Sequence, residues 1–229
     1  MDRQLKDILS IMNRNKVNYW LDSGSLLGLI RDGKLIDGDG DIDIGVWHCD
    51  LNLMMVAINC VELEEYKIIK RSYRGQVYKI KLQPKFDGRT IDINIFRRFE
   101  DYAWCPQLMT LPDTHQGSIS IFWLKKITYR TYRLIKYLSG INKSKDNRVF
   151  YYFERMAMWR IPVEYFSNIN KKNFDGVIVN FPDKCDDYLE MRYKDWRKPN
   201  EGKWIFLIHD GAISKISPAQ YLENSRDES

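Results

Sequence analysis

Two carboxylates two residues apart are the first feature of this sequence that could take part in catalysis. Asp41 and Asp43 alternate with aliphatic residues, which is the two-residue period of a β-strand, so both acids would point to the same side. Two like charges placed so closely repel unless a cation lies between them, and Mg²⁺ or Mn²⁺ prefers oxygen ligands. We therefore predict a metal site at Asp41 and Asp43, with a solvated acidic loop as the alternative.

A third acid stands alone in an aliphatic segment. Asp92 lies between Ile91 and Ile93, and an unpaired charge facing a protein core would be strongly destabilising. If this segment lies beside the strand of the first two acids, Asp92 can complete the metal site or accept a proton from an attacking hydroxyl group. The alternative is an acid on the edge of a sheet that faces water.

A glycine–serine turn precedes the acids. Gly24 would let the backbone approach a phosphate oxygen, Ser25 would add a hydroxyl, and N–H groups at the start of a helix favour an anion. This pattern predicts a phosphate-binding turn, and an ordinary helix N-cap is the alternative. Lys79 and Lys81 share one face of a predicted strand and are candidates to contact a diphosphate, although lysines on an exposed edge strand show the same spacing.

Helices and strands that could position these groups alternate along the first hundred residues. Apolar residues at helical spacing predict three helices, at residues 1–15, 26–30 and 51–61. Short β-prone segments bounded by turn formers predict five strands, at residues 17–21, 41–46, 66–71, 76–82 and 90–96. This order is typical of an α/β or α+β fold in which a mixed sheet is flanked by helices.

The second half of the chain differs in composition. Residues 118–138 are rich in aromatic and basic side chains and are predicted to be helical, and residues 142–147 are the best candidate for a linker. We therefore predict a catalytic core over residues 1–105 and a mostly helical C-terminal portion over residues 106–229. Residues 119–138 fit peripheral contact with an anionic membrane, and a core helix with a basic outer face fits them as well.

Composition narrows the class of protein. The 229 residues are 44% hydrophobic and 14% aromatic, which excludes a disordered chain. The net charge of +5 favours phosphate-bearing partners or an anionic surface but is too small to indicate nucleic acid, so no nucleic-acid partner is expected. The four cysteines form no C-x-x-C pair, and no apolar run reaches the ~20 residues of a membrane span. We expect a cytoplasmic protein with at most peripheral membrane contact.

Several segments, taken in order, resemble the LicD/fukutin family. The segment from Tyr19 to Arg31 resembles the opening motif of that family, and the segment from Ile36 to Gly45 resembles its I-P-W-D-D-D-I-D-I motif. Ile91 to Ile93 is similar to its third-carboxylate strand, and Asp187 to Trp196 with Pro199 is similar to its Y-L-x-x-R-Y-G-x-W-x-x-P terminus. The ordered combination spans about four-fifths of the chain and is far more specific than any one motif.

The sequence departs from these motifs at a few positions. Asp37 and Gly38 replace the family's Pro-Trp, Gly40 replaces an acid, and Lys194 stands where Gly is usual. The acid pair and the glycine–serine turn are intact, so the resemblance extends to the residues that we single out for chemistry.

The resemblance implies a nucleotidyltransferase-like fold and an enzyme that moves a phospho-alcohol group, such as phosphocholine or ribitol phosphate, from a CDP-linked alcohol donor to a glycan hydroxyl. CMP would be released. In this scheme the acid pair holds the metal, Asp92 is a ligand or base, and the glycine–serine turn and Arg31 hold the donor phosphate. The acceptor side of the cleft would come from the C-terminal portion. Acceptors of this kind are cell-surface glycans such as lipopolysaccharide, capsule or teichoic acid, and a lipid-linked glycan would explain membrane contact.

Two other functions use the same residues or the same fold. A true nucleotidyltransferase would move NMP from an NTP to a small molecule, a nucleic acid or a protein, and the glycine–serine turn and the acids serve that reaction too. A non-catalytic binding module would keep the fold as a scaffold, but it would gain nothing from three clustered carboxylates.

Overall fold

The computed structural model describes residues 2–59, 65–73, 75–110, 154–199 and 210–214, and a mixed sheet is its main feature. Within these residues eight strands form one sheet, and two further strands form a separate antiparallel pair. Helices cover the sheet, so the predicted fold class, a mixed α/β sheet flanked by helices, is confirmed.

The helices and strands have the following bounds. The α-helices are α1 (Arg3–Arg14), α2 (Ser23–Asp32), α3 (Leu51–Asn59) and α4 (Cys185–Tyr193). The large sheet contains β1 (Tyr19–Leu21), β2 (Asp41–Trp47), β3 (Tyr66–Tyr73), β4 (Gln76–Pro84), β5 (Thr90–Phe99), β6 (Tyr102–Thr110), β7 (Glu154–Pro162) and β10 (Ile213–Ser214). The separate pair is β8 (Ile169–Phe174) and β9 (Val177–Pro182), and short 3₁₀ turns lie at His48–Asp50 and Val163–Phe166.

Strand β5 is the centre of the large sheet. It runs parallel to β2 and antiparallel to β4 over its first part, and its last three residues pair with β6. The sheet order is β1-β2-β5-β6-β7-β10, and the β3–β4 hairpin joins it at β5. Because β5 joins all parts of the sheet, it sets the position of Asp92 relative to the strand that carries the acid pair.

Helix α1 shows how the sequence determines packing in this fold. Its apolar residues recur at helical spacing, so one face is buried and consists of Leu5, Ile8, Leu9 and Met12. Asp2 caps the helix because its carboxylate accepts a hydrogen bond from the backbone N–H of Leu5 at 3.2 Å. Full burial of each such apolar side chain contributes about 1.5–3 kcal/mol, which holds α1 against α3 and β9.

An aromatic layer fills the middle of the sheet face that carries the acids. The Trp20 ring packs on Gly45, where an added Cβ would lie 2.2 Å from the ring. The Trp20 ring centroid lies 5.2 Å from those of Trp47 and Phe96 and 4.7 Å from that of Phe166. Gly45 is therefore required for close packing of a large side chain on β2.

The described residues up to β5 agree with the predicted elements, whereas β6 was not predicted. The three predicted helices correspond to α1, α2 and α3, and the five predicted strands correspond to β1–β5, with bounds that differ by a few residues. The predicted turn before α2 is the first turn of α2 itself, where Asp22 is the N-cap. None of the helices in the described ranges is long and apolar enough to cross a membrane.

The described residues after 106 differ from the predicted helical character. They form the remainder of β6, strands β7–β10 and helix α4, and the proposed boundary after residue 105 falls inside β6. Strand β7 forms because it pairs along its whole length with β6, and pairing between residues ~50 positions apart leaves little local signal. The helix predicted at 118–138 and the linker at 142–147 lie outside the described residues, so the division into two portions stays a prediction.

Candidate active site

A cleft of about 920 Å³ opens on the sheet face that carries Asp41, Asp43 and Asp92. The start of α2 forms one wall, and the end of α4 with the residues after it, up to Pro199, forms another. The charged residues that line it are Arg31, Asp39, Asp41, Asp43, Lys79, Asp92, Arg192, Lys194, Asp195 and Lys198. Most of the residues predicted to do chemistry therefore lie in one cavity.

The three predicted acids lie side by side. In the parallel pairing of β2 and β5, Asp43 is opposite Asp92, and Asp41 lies two residues earlier on the same face. Burial, then the charges of Asp39 and Asp92, raise the pKa of Asp41 from its ordinary 3.8 to about 6. Burial, then the charge of Asp41, raises the pKa of Asp43 well above its ordinary value. Repulsion from neighbouring carboxylates therefore adds to burial in both pKa shifts, and for Asp43 the neighbour is Asp41 itself.

The donor atoms of the acid pair fit Mg²⁺ or Mn²⁺. These ions commonly bind through one or two carboxylates, with substrate phosphates and waters in the other positions. Asp41 and Asp43 offer two carboxylates on one face of β2, and Asp39 adds a third carboxylate to the cleft wall. No group of three or more His, Cys, Asp or Glu side chains in the described ranges is arranged to hold an ion by itself. The arrangement fits a metal site that the phosphates of a substrate would complete.

Asp92 forms ion pairs with the two predicted lysines. Its carboxylate lies 3.1 Å from the Lys79 Nζ and 3.2 Å from the Lys81 Nζ, and it is only 5% exposed. Burial acts to lower the pKa of Lys79, but the charges of Asp92 and Asp43 outweigh it, so the pKa is raised and the ammonium stays charged. Lys79 lines the cleft, whereas Lys81 is not among its lining residues. The unpaired charge in an aliphatic strand is thus neutralised by its neighbours on β4.

The two residues of the glycine–serine turn have different positions and roles. Gly24 faces the cleft, and a Cβ there would lie 2.8 Å from the Asp39 Oδ2, so glycine lets the backbone remain close to the acids. Ser25 is buried, and its Oγ accepts a hydrogen bond from the backbone N–H of Asp43 at 2.9 Å. The Ser25 hydroxyl therefore positions β2 and is not on the cleft wall, and Ser23 lines the cleft in its place.

Arg31 lines the cleft, and its guanidinium is paired with Asp32. Its Nε and Nη2 donate to the two carboxylate oxygens of Asp32, at 2.8 and 2.7 Å, and this hydrogen bonding raises its pKa. The residue predicted as a phosphate clamp therefore lies on the cleft wall, but two of its donor atoms are held by its neighbour.

A buried polar network joins the two walls of the cleft. Asp22 accepts a hydrogen bond from the Tyr188 hydroxyl, and Arg192 donates to the Tyr188 oxygen at 2.7 Å. The Arg192 guanidinium also binds both carboxylate oxygens of Asp210, at 2.8 and 2.7 Å, and lies 4.2 Å from the Trp159 ring centroid. Because burial raises the pKa of Tyr188 well above its ordinary value, the hydroxyl keeps its proton and remains a donor.

Lys194 has an unusual backbone conformation on the second wall. It follows α4 with φ of +57°, in the region that favours glycine, and this is the position where the family motif usually has Gly. The Lys194 side chain is exposed and lines the cleft. A lysine in this conformation destabilises the folded state by ~1–3 kcal/mol of backbone strain. It also adds a positive charge to the cavity.

The sequence analysis did not single out Asp39, Tyr188 or Arg192 as site residues. Asp39 lies in the alternating acids before β2, so its spacing was a usable signal. Tyr188 and Arg192 are spaced four apart on α4, and their link to Asp22 depends on a tertiary contact across 166 residues that spacing does not show. Trp196 is buried with the Arg197 guanidinium over its ring, which fits packing.

Comparisons with known proteins agree with this architecture. Residues 16–184 match the family model described as LicD/FKTN/FKRP, nucleotidyltransferase domain. An uncharacterized protein of Rickettsia prowazekii (strain Madrid E) is 41% identical over 125 residues, which cover 52% of this chain and 47% of that protein. Ribitol 5-phosphate transferase FKRP of Mus musculus and of Homo sapiens is 36% identical over 56 residues, or 24% of this chain and 10% of that protein. The matches thus span about half or less of the length of these curated relatives.

This chain was also matched to a solved structure, that of ANT(2")-Ia in complex with adenylyl-2"-tobramycin. The match covers 44% of this chain and 52% of that chain, with a TM-score of 0.33 and 13% sequence identity. The family model carries the assignment, because it matches well over half of the chain and includes β1, α2, β2 and β5. The predicted resemblance is confirmed: the protein belongs to the LicD/FKTN/FKRP nucleotidyltransferase-domain family.

Proposed function

We propose that the protein is a transferase that moves a phospho-alcohol group from a CDP-linked donor to a glycan hydroxyl and releases CMP. The observation that carries the proposal is the acid pair on β2, held in one cleft with Gly24 at the start of α2 and with the Lys79 ammonium. Family membership and the match to ribitol 5-phosphate transferase FKRP favour ribitol phosphate or a similar alcohol phosphate as the transferred group.

The cleft supplies the groups that binding of a diphosphate requires. The backbone at Gly24 and the N-terminus of α2 would bind donor phosphate oxygens, because a helix N-terminus favours an anion. A divalent ion held by Asp41 and Asp43 would neutralise phosphate charge and polarise the phosphorus that is attacked. Catalysis of phosphoryl-group transfer consists mainly of such positioning and charge neutralisation.

The ion pairs of Asp92 support a substrate-dependent role. With Lys79 and Lys81 bound to it, the Asp92 carboxylate has an ammonium group at each oxygen and is not free to bind a metal or an attacking hydroxyl group. Donor phosphates would attract Lys79, which already lies on the cleft wall, and would draw it away from Asp92. The released carboxylate could then accept the proton of the attacking hydroxyl group or complete the metal site. Its two predicted roles therefore remain open within the proposal.

The experiment measures CMP release from the purified protein with CDP-ribitol and CDP-choline, in the presence of Mg²⁺ and with candidate glycan acceptors. We expect release with one donor and its loss in the Asp41→Asn, Asp43→Asn double variant. The matched control is Asp87→Asn, which removes an exposed acid after β4 and should keep the activity. Retained transfer in the double variant would refute the proposed roles of the acids.

Nucleotide transfer is the competing reaction, because Gly24 and the same acids can bind an NTP. Product mass separates the two reactions. Attachment of a nucleotide to the acceptor with CTP or ATP as donor, and no CMP release from CDP-alcohols, would favour a true nucleotidyltransferase. The glycan class, the cytoplasmic location and the membrane contact of residues 119–138 stay predictions.

A further inference from the structure

A second cavity, of about 790 Å³, lies at the other end of β2 and β5 from the cleft. Trp47 lines it and lies on the same face of β2 as Asp43, with Gly45 between them under the Trp20 ring. At about 3.3 Å per residue, the four-residue step from Asp43 to Trp47 places the two cavities roughly 13 Å apart along the strand. The aromatic layer separates them, so the second cavity is a distinct site.

The charge of this cavity is positive. Arg97, Arg98 and His48 contribute to its lining, and no acidic side chain does so within the part of the chain that the structure describes. Arg98 is exposed, and its guanidinium lies 5.4 Å from the centroid of the Trp47 ring. Guanidinium groups bind phosphate oxygens through paired hydrogen bonds, so this lining favours an anion that carries several oxygens.

Neutral polar groups and aromatic rings complete the lining. Asn18 and Asn168 bring two amides that can both donate and accept hydrogen bonds, and the Ser167 hydroxyl, which donates to the Glu164 carbonyl at 2.9 Å, can still accept one. Trp47 and Phe166 provide apolar ring surface beside them. A bare inorganic anion would use only the cationic groups, whereas a polyhydroxylated compound would also use the amides and the rings.

We propose that this second cavity binds a sugar or polyol that carries a phosphate group. The phosphate would contact Arg98 and Arg97, and the hydroxyl groups would contact the asparagines and Ser167. Such a unit can be a free sugar phosphate, which is a monoester, or one repeat of a phosphate-containing glycan, which is a diester. The proposal goes beyond the transfer reaction and does not depend on it, because binding alone is measured.

The test follows His48 by NMR in the full chain. Burial, then the charge of Arg97, lowers the pKa of His48 below its ordinary value, and a bound phosphate would raise it. Cys49 and Asp50 follow it in the same 3₁₀ turn and are unchanged in both variants below, so they affect every titration in the same way. The chain has three histidines, and His115 and His209 serve as internal references. The probes are glucose 6-phosphate, the diester glycerophosphoglycerol, glucose and inorganic phosphate.

We expect glucose 6-phosphate or glycerophosphoglycerol to raise the pKa of His48 in a saturable manner, and the tighter probe identifies the source of the ligand. Arg98→Gln should weaken this binding about tenfold or more, the factor that ~1.4 kcal/mol gives. The control is Arg71→Gln, which removes an exposed guanidinium from the edge strand β3 and should leave binding unchanged. Unchanged urea-unfolding midpoints in both variants would show that the fold is intact.

Three results would overturn the proposal. One is that neither phosphorylated probe changes the pKa of His48 at about 10 mM. That result would mean that the binding free energy is weaker than roughly −3 kcal/mol. Another is an equal loss of binding in Arg98→Gln and Arg71→Gln, which would indicate general charge attraction. The third is inorganic phosphate binding as tightly as glucose 6-phosphate, which would remove the role of the hydroxyl groups.

Discussion

In the absence of a divalent ion, the stability of the protein should depend on pH through Asp41. The pKa of this carboxyl is about 6 in the folded protein and 3.8 ordinarily, so the folded state binds the proton more tightly. Its contribution to stability is therefore complete below about pH 4 and is lost as the pH rises through about 6. A pKa difference of this size corresponds to ~3 kcal/mol. Solvent screening of the partly buried carboxylate reduces the expected loss to about 1–2 kcal/mol.

Urea unfolding in EDTA measures this loss between about pH 4 and pH 7. We expect Asp41→Asn to remove the part of the pH dependence that comes from Asp41 and to leave the part that comes from Asp43, whose pKa burial and the charge of Asp41 raise well above its ordinary value. The exposed-acid control Asp87→Asn should keep the full slope. Addition of Mg²⁺ at neutral pH should restore stability to the unchanged protein but not to Asp41→Asn. An equal slope in Asp41→Asn and the unchanged protein would refute the reasoning.

Three further substitutions test the packing around the cleft by urea unfolding. Lys194→Gly should raise the free energy of unfolding by about 1 kcal/mol because φ of +57° suits glycine, whereas Lys194→Ala should not. Arg192→Leu should lower it by about 3–5 kcal/mol because two buried acids lose their counter-charge, and a loss under ~1 kcal/mol would contradict this. Gly45→Ala should lower the free energy of unfolding by ~1–3 kcal/mol because the new methyl group would overlap the Trp20 ring. In a Trp20→Leu background the same change should cost much less.

Local periodicity was sufficient to predict the helices and strands that bury one face. The spacing of Leu5, Ile8, Leu9 and Met12 predicted α1, and these four residues are its buried face. The alternation of acids and aliphatic residues predicted that Asp41 and Asp43 share one side of β2, and both line the cleft. Side-chain direction follows from the backbone period alone, so it can be read without knowledge of neighbouring elements.

Features that depend on neighbouring strands could not be predicted in this way. Lys81 is directly opposite Asp92 because β4 runs antiparallel to β5 in one particular register, which neither strand specifies by itself. The position of Ser25 under β2 likewise depends on how α2 packs on the sheet. Strand β7 was missed because its partner β6 lies far from it in sequence. In each case the missing information is a non-local contact.

The link between Asp22 and Arg192 defines the smallest piece of this chain that should fold. The family model ends at residue 184, one residue before α4 begins, yet the N-cap of α2 is hydrogen-bonded to Tyr188 within that helix. A chain shortened at residue 184 would remove the Tyr188 hydroxyl and the Arg192 guanidinium from Asp22, beside the acids of the cleft. Segment-swapping experiments between relatives should therefore exchange α2 together with α4 and the Asp210 segment, because these parts form a single electrostatic unit.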